Sequence, residues 1–386
     1  MKKAQNIFRD PVAKLGSLLS RLPLTGRLVP GRRRRLAVLK NDGLGDIILF
    51  LPYAAALHRA FAARGYEVSL IVRSPWAEFV RRAGCADRVI VQPPYRNALQ
   101  WLGFRLGFWA RHCFDSIVEA VCEAHDVTDC CHPEERVNIY LDPRWKSPDS
   151  PGTRSFDVSG MTIRERYAVL LEACGIDRQV PPFDYSVFAD PVPAAWVEGP
   201  FIAFCADSSD PRRCWEKEKF AALGNWLWKH CRKRLLFIGS DRERAEGIIA
   251  ALDPEVEAAD LCGETTLFQL FTLVGRAEFL VSGDTGTAHA AAACGTRCFV
   301  ICGRGEYGTF VPYPPGIEGK RFFSVFSEKP CRRCYWRDPA CAQLPVYECI
   351  SSISVEQVKQ AIETHLPPPP ETSASGSAGL RAFGGK

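Results

Sequence analysis

The chain has 386 residues, of which 47% are hydrophobic and 24% are charged, so two domains of ordinary size can each bury a core. It contains no apolar run of roughly eighteen residues or more, and no apolar segment follows the two lysines of residues 1–10, so we expect neither a membrane span nor a secretory signal. The 17 cysteines then indicate a reducing cytosol and free thiols, not a disulfide framework.

Positive charge is concentrated near the N-terminus, although the net charge is only +5. Residues 1–35 form a basic extension that ends in the run Arg32–Arg35, and its apolar residues between Ile7 and Leu19 fall at helical spacing. Two interpretations remain open: peripheral association with the cytoplasmic face of the inner membrane, or a solvated arm that packs on the first domain. No nucleic-acid partner is expected, because no recognition-module pattern accompanies the basic residues.

Short apolar strands alternate with helical stretches in the first half of the chain, which predicts a parallel sheet covered by helices. The sequence between 141 and 160 is rich in Pro, Ser, Asp and Gly and is interpreted as a loop. The predicted strands are 36–40, 67–73, 88–92 and 115–121, and the predicted helices are 46–63, 75–83, 97–111 and 162–174.

The pattern restarts after a proline-rich linker around residues 179–194, which divides the chain into domains 36–190 and 191–366. A capped helix at 354–362 ends the second domain, and the small, polar residues that follow predict a disordered tail at 367–386. The predicted strands here are 201–205, 235–238, 279–281 and 298–301, with helices near 216–231, 241–252 and 265–275.

The most informative segment is Gly283-Asp284-Thr285-Gly286-Thr287, where an apolar strand passes directly into an Ala-rich helix that includes His289. The first N–H groups of such a helix are unpaired and carry the positive end of the helix dipole, so they suit an anionic phosphate. The alternative is a strand–helix turn in which the threonines only cap the helix. Ser208 and Ser209, in the loop after strand 201–205, are further candidates for phosphate contacts.

A second turn of this kind follows the first predicted strand, in the sequence Asn41-Asp42-Gly43-Leu44-Gly45-Asp46. This Gly-Asp turn, the later Asp-Thr-Gly-x-x-His loop and a basic residue two positions before a tryptophan (Arg213-Cys214-Trp215) occur in the order and separation typical of one family. Between residues 36 and 362 the chain resembles glycosyltransferase family 9, the ADP-heptose:lipopolysaccharide heptosyltransferases.

The resemblance implies an α/β chain of the GT-B type, with two facing Rossmann-like, doubly wound parallel-sheet domains and a cleft between them. It implies an inverting glycosyltransferase that transfers heptose from ADP-heptose to a lipid-linked acceptor, the lipopolysaccharide core or a related glycan. Other donors, a protein acceptor or a non-catalytic nucleotide-sugar-binding module remain alternatives.

The resemblance also implies roles for particular residues. Asp46 would be the catalytic base in the first domain, beside the acceptor loop residues Asp42, Gly43 and Gly45. Arg213 would assist catalysis by adding positive charge at the donor phosphates, although the family has lysine there. The donor would bind through Ser208, Ser209, Asp284, Thr285, Gly286, Thr287 and His289. Nothing in these motifs requires a catalytic metal. From the residues alone, a helix N-cap is the more common role for an aspartate in the position of Asp46.

Four cysteines, Cys331, Cys334, Cys341 and Cys349, lie in a Cys-rich loop at 331–349. Four thiolates at short spacing can hold a structural zinc or iron, but the second pair lacks the two-residue spacing of a zinc knuckle, so reduced thiols remain the alternative. A less regular group, Cys122, His125, Cys130, Cys131 and His132, is a weaker metal candidate.

Two other enzyme classes fit the sequence less well than a transferase. The Gly43-Leu-Gly45 spacing resembles the start of a dinucleotide fingerprint, but Ile48 occupies the place of the third glycine and would prevent close helix–sheet packing. An epimerase that acts on a nucleotide sugar would fit the architecture but leaves the Gly-Asp helix unexplained. We therefore expect a glycosyltransferase.

Overall fold

The computed structural model describes residues 33–366 except 95–99, 102, 105–106, 109–111, 122–127, 129–130, 132, 144–145, 148–150, 332 and 342. The predicted basic extension up to residue 32 and the predicted tail at 367–386 therefore lie outside the described residues. The same is true of most of the predicted helix 97–111.

Twelve strands form two six-stranded sheets in which every neighbouring pair is parallel. The first sheet has the order β3-β2-β1-β4-β5-β6 and the second the order β12-β11-β10-β7-β8-β9. The first comprises β1 (Arg34–Leu39), β2 (Tyr66–Arg73), β3 (Arg88–Gln92), β4 (Ser116–Glu119), β5 (Glu135–Tyr140) and β6 (Thr153–Asp157). The second comprises β7 (Phe201–Cys205), β8 (Arg234–Phe237), β9 (Ala258–Asp260), β10 (Phe279–Gly283), β11 (Arg297–Cys302) and β12 (Phe322–Phe326).

Both sheets have the strand order of a Rossmann fold, because the chain returns to the middle of the sheet after three strands and then continues outward on the other side. Each sheet thus has a switch point, between β1 and β4 in the first and between β7 and β10 in the second. The predicted α/β class with two doubly wound sheets is confirmed. The strands separate at the predicted linker, although the domain limits of 36–190 and 191–366 stay a prediction.

Nine named α-helices connect the strands within the described residues. They are α1 (Leu44–Ala63), α2 (Ala77–Ala83), α3 (Ile163–Ala173), α4 (Lys217–Cys231), α5 (Arg242–Ile249), α6 (Leu267–Arg276), α7 (Gly286–Cys294), α8 (Glu348–Ser351) and α9 (Val355–His365). The 3₁₀ turns are Ser74–Trp76, Tyr185–Phe188, Ala194–Val197 and Pro211–Arg213.

The segment 141–160 was predicted to be a loop, and this is wrong for β6. Thr153–Asp157 is an edge strand whose residues are all partly or fully exposed, so it lacks the apolar run that marks a buried strand. Its neighbour β5 carries Arg136 and Asn138 in buried positions, where polar side chains again interrupt the hydrophobic pattern.

The central strands bury alternate residues on opposite faces. In β1, Leu36 and Val38 belong to one apolar cluster, while Ala37 and Leu39 belong to another. The cluster that holds Leu36 also includes Ala203 of β7, so one apolar layer joins the inner faces of the two sheets. Helix α1 lies in this layer. It is long and apolar enough to cross a membrane, but 56% of its most apolar 18-residue stretch is buried inside the protein, as in a core helix.

The linker contributes Phe188 to the layer between the domains. Its fully buried ring stacks on Phe79 of α2 at a centroid distance of 3.9 Å and lies 5.2 Å from the ring of Phe271 in α6. A linker side chain therefore joins a helix of the first domain to a helix of the second.

Phe188→Ala should lower the free energy of unfolding by about 3–5 kcal/mol, because it removes a buried ring and leaves a cavity between the domains. Val187→Ala is the matched control, since Val187 is 38% exposed and should change stability by less than about 1 kcal/mol. Urea denaturation measures both. Equal effects of the two substitutions would show that the linker ring does not hold the domains together.

Candidate active site

A cleft of about 540 Å³ lies between the two sheets, where the switch points of both domains meet. Ligands of doubly wound folds bind at the carboxyl ends of the strands at such points. Eleven of the twelve residues predicted for the active site line this cleft, and Asp42 is the exception. The eleven are Gly43, Gly45, Asp46, Ser208, Ser209, Arg213, Asp284, Thr285, Gly286, Thr287 and His289.

The side of the cleft predicted to bind the donor is formed by the N-terminus of α7. Thr285 is the N-cap residue, but its side chain makes no capping hydrogen bond; the hydroxyl instead lies 3.3 Å from Oγ of Ser282. Capping by this threonine, the alternative to phosphate binding, is therefore not what the structure shows. The N–H groups of Gly286 and Thr287 have no partner within the helix, so this end of the cleft offers donors and a positive helix dipole.

Arg213 adds a positive charge beside this helix end. It ends the 3₁₀ turn Pro211–Arg213, and its Nη2 donates a hydrogen bond of 2.8 Å to the backbone oxygen of Asp284. The same nitrogen is 3.8 Å from Oε2 of Glu306, which also lines the cleft. A guanidinium held in this way keeps other N–H groups available for an anion.

The opposite side of the cleft is formed by the N-terminus of α1. The sequence predicted a helix from residue 46, but α1 begins at Leu44 with Gly43 as N-cap. Asp46 consequently lies inside the first turn and is not the N-cap, because a glycine with extended backbone occupies that position. Its carboxylate, 26% exposed, is then free to line the cleft.

The protonation of Asp46 depends on several buried neighbours. The pKa of Asp46 is raised to about 7, chiefly by burial and also by the negative charges of Asp42 and Glu306, while the cations Lys40 and Arg166 oppose the shift. A carboxyl group with a pKa near neutrality is suited to take up a proton during catalysis.

Lys40 is a site residue that the sequence analysis did not select. It follows β1, is 1% exposed, and places Nζ 2.5 Å from Oδ2 of Asp42 and 3.8 Å from Oδ1 of Asp46. Its ammonium also donates a hydrogen bond of 3.3 Å to the backbone oxygen of Ala120. The available signal was a lysine directly after an apolar strand, where only a paired charge can be buried. Asp42, predicted to be in the acceptor loop, thus serves as the partner of this buried ammonium.

The two sides of the cleft touch through Gly45 and His289. A Cβ atom added to Gly45 would lie only 2.6 Å from Cδ2 of His289 and 3.6 Å from Cα of Gly286. The ring of His289 is fixed by Tyr313, whose hydroxyl is 2.7 Å from Nδ1, while Nε2 is 3.5 Å from the carboxylate of Asp284.

Burial sets the charges of this pair. It lowers the pKa of His289 to about 3, with the charges of Arg164 and Arg213 adding to the effect, so the imidazole is neutral. Burial also raises the pKa of Asp284 to about 6, and Arg213 acts against this shift. The neutral histidine packs between the domains and borders the donor side of the cleft.

Further polar groups stabilise the cleft walls. Thr266 caps α6 in a capping box with Gln269. Asp207, which the sequence analysis did not select, lines the cleft and accepts hydrogen bonds from the backbone and hydroxyl of Ser240. These bonds lower the pKa of Asp207 despite its burial.

The Cys-rich loop was a candidate for a structural zinc or iron. Among the residues described in this structure, no group of three or more His, Cys, Asp or Glu side chains is placed to hold a metal ion, and Cys331, Cys334, Cys341 and Cys349 are free thiols. The geometry therefore does not support metal in this loop. Of the second cysteine and histidine group, only Cys131 is described, and it is buried; Cys122, His125, Cys130 and His132 lie outside the described residues.

Part of the sequence is similar to a known glycosyltransferase family. The family model for glycosyltransferase family 9 (heptosyltransferase) matches residues 168–333. Lipopolysaccharide heptosyltransferase 2 of Salmonella typhimurium and that of Escherichia coli are each 34% identical over 100 residues. The chain resembles glycosyltransferase family 9. The alignment spans 25% of this chain and 29% of the length of either heptosyltransferase.

Solved structures of family 9 proteins share the fold over most of the chain. The family 9 glycosyl transferase from Veillonella parvula has a TM-score of 0.66 and 17% identity, covering 86% of this chain and 96% of its own. E. coli heptosyltransferase WaaC with ADP-2-deoxy-2-fluoro heptose has a TM-score of 0.59 and 18% identity, and the match covers 86% of this chain and 99% of WaaC. At these identities the likeness establishes the GT-B arrangement of the two sheets.

Gly45→Ala should destabilise the protein by about 1–3 kcal/mol, because the added methyl group overlaps the His289 ring where the domains meet. Alanine is otherwise the better helix former, so a loss of stability reports the steric clash. Gly43→Ala is the control: its Cβ would lie 3.6 Å from Oδ2 of Asp46, an ordinary contact. Chemical denaturation compares the two. A Gly45→Ala protein as stable as the wild type would contradict the close contact.

Proposed function

We propose that the chain is an inverting glycosyltransferase that transfers heptose from ADP-heptose to a lipopolysaccharide-core or related lipid-linked glycan. The observation that supports it most strongly is the position of Asp46, on one helix N-terminus, in the same cleft as a second helix N-terminus with Arg213 beside it. A base and an anion site thus share one cavity of a size suited to a small ligand.

In this proposal the second domain binds the donor. The diphosphate lies against the N–H groups at the start of α7, with the hydroxyls of Thr285 and Thr287 and the guanidinium of Arg213 as further donors. Ser208 and Ser209 border the same region of the cleft. The carboxylate of Asp284 lies 3.5 Å from Nε2 of His289, which suits a role in ordering the loop or in binding a sugar hydroxyl.

The first domain binds the acceptor and supplies the base. The carboxylate of Asp46 accepts the proton of an acceptor hydroxyl while the oxygen attacks the anomeric carbon of the sugar. The bond between that carbon and the phosphate oxygen breaks on the opposite face, and the nucleoside diphosphate leaves with the electron pair. The configuration at the anomeric carbon is thereby inverted.

Negative charge on the leaving diphosphate grows during this step. The dipole of α7 and Arg213 are oriented toward the place where the charge develops, so they stabilise the transition state without moving. In this proposal the helix dipole and Arg213 balance the charge of the leaving diphosphate, and no catalytic metal is assigned. The enzyme would work in the cytoplasm, where the basic extension could meet the inner membrane face and its lipid-linked acceptor.

The transfer rate should fall about tenfold per pH unit below about pH 7, because Asp46 must be deprotonated to act and its pKa is raised to about 7. Asp46→Asn should lower the rate by about 10²–10⁴-fold above about pH 7 and should abolish this pH dependence, because a protonated Asp46 is no better a base than asparagine. In Asp42→Asn the fall in transfer rate should begin at a lower pH than in the wild type, since the negative charge of Asp42 raises the pKa of Asp46.

The assay follows ADP release from ADP-heptose in the presence of a lipopolysaccharide-core acceptor. If Asp46→Asn retains wild-type activity, Asp46 is not the base. If the transfer rate of Asp42→Asn falls at the same pH as that of the wild type, Asp42 does not raise the pKa of Asp46.

Arg213→Ala should weaken the binding of a nucleoside diphosphate about tenfold or more, because a charge-assisted hydrogen bond to phosphate is lost. Arg212→Ala is the matched control: this neighbouring side chain pairs with Asp210 and does not line the cleft. Calorimetric titration with ADP, UDP and GDP measures the affinities.

Binding of ADP by the wild type and by Arg212→Ala, with a loss in Arg213→Ala, would support the donor site. Tighter binding of UDP or GDP than of ADP would support a glycosyltransferase that uses a different nucleotide-sugar donor. If Arg213→Ala and Arg212→Ala bind the nucleotide with equal affinity, Arg213 does not contact the phosphates.

A further inference from the structure

The Cys-rich loop packs directly behind the donor side of the cleft through Trp336. The guanidinium carbon of Arg213 lies 5.0 Å from the centroid of the Trp336 ring, within the range of a cation–π contact. Trp336 itself is not among the described residues that line the cleft. Its ring therefore contacts a residue proposed to bind phosphate without itself lining the cleft.

The segment after β11 leaves space for this ring. A Cβ atom on Gly305 would lie 2.5 Å from Cδ2 of Trp336, and one on Gly303 would also overlap the ring. Neither glycine is required by a left-handed backbone, so the reason for a glycine at both positions is space. Glu306 follows Gly305 directly, and its carboxylate is the one that lies 3.8 Å from Arg213. The tryptophan thus contacts Arg213 directly and packs on Gly305, the residue that precedes Glu306.

The backbone of the loop is held in an unusual conformation at this contact. Arg333, Tyr335 and Trp336 have φ angles of 52°, 49° and 59°, a left-handed region that non-glycine residues rarely adopt. Such a conformation persists only where the surrounding contacts enforce it, and it is common at functional sites.

Those contacts are hydrogen bonds to the same glycine-containing segment. Tyr335 N–H donates to the oxygen of Gly305 at 2.8 Å, and Arg333 N–H donates to the oxygen of Arg304 at 3.0 Å. In return, Arg304 N–H donates to Sγ of Cys349, at the end of the Cys-rich loop, at 3.2 Å. The loop and the segment that carries Glu306 are therefore one hydrogen-bonded unit.

We infer that Trp336 is a positioning residue for the donor site, which it controls through Arg213. The guanidinium is held from three directions: by the oxygen of Asp284 at 2.8 Å, by Glu306 at 3.8 Å and by the face of the indole ring at 5.0 Å. Fixing the side chain before the donor arrives reduces the conformational entropy that binding would otherwise cost. This inference rests on the proposed function, and it gives the Cys-rich loop a role that needs no bound metal.

The test is a double-mutant cycle on nucleoside diphosphate binding, measured by calorimetry with ADP, UDP and GDP. Trp336→Leu should raise the Kd of the preferred nucleotide about tenfold, whereas Trp336→Phe, which keeps an aromatic face, should raise it by about threefold or less. In an Arg213→Ala background, Trp336→Leu should change the Kd by less than about twofold, because its effect passes through the arginine.

Trp226→Leu is the matched control. Its ring also has a cation nearby, Nζ of Lys359 at 6.0 Å, but it lies on α4 and does not line the cleft. Its Kd should equal that of the wild type. If Trp336→Leu does not fold, the cycle is run with Trp336→Phe, whose smaller effect should likewise disappear in the Arg213→Ala background.

The outcomes separate the two proposals. Wild-type binding together with an unchanged Kd in Trp336→Leu, or an effect that persists without Arg213, overturns the positioning role and leaves the transferase intact. No binding of any of the three nucleotides by the wild type overturns both the donor site and this inference.

Discussion

The close contact between Gly45 and His289 is the constraint on which the rest of the cleft depends. Two helix N-termini, each with unpaired N–H groups and a positive dipole end, are brought together where only a glycine fits. Side chains longer than hydrogen would separate them and widen the cleft. Because each helix follows the strand at the middle of its sheet, the Rossmann topology of both domains determines which residues meet there.

Charge within the cleft is balanced by groups of opposite sign at short range. On the side proposed to bind the acceptor, the buried ammonium of Lys40 faces two carboxylates, Asp42 and Asp46. Burial raises the pKa of Asp46 to about 7 although Lys40 opposes the shift. On the donor side, Arg213 is held by Glu306 and the Asp284 backbone. The arrangement separates a carboxyl group with a raised pKa from a cationic site, as the proposed inverting displacement requires.

The sequence allowed much of this to be predicted, because the two Gly-rich turns lie at strand ends and strand ends meet at a switch point. For that reason Asp46 and Thr285 could be predicted to lie in the cleft. Lys40 and Glu306 could not, since a lysine after one strand and a glutamate after another show their partners only once the chain is folded. The edge strand β6 was missed because its residues are too polar to be distinguished from a loop. The packing of Trp336 on Gly305 is likewise a contact between segments whose proximity no local pattern reveals.

The most direct test of the central claim is a crystal structure of the protein with ADP. The account predicts difference density for the diphosphate at the N–H groups of Gly286 and Thr287, with a guanidinium nitrogen of Arg213 within hydrogen-bonding distance of a phosphate oxygen and the carboxylate of Asp46 across the cleft. Density for the nucleotide at any other place, or none at saturating ADP, would contradict it.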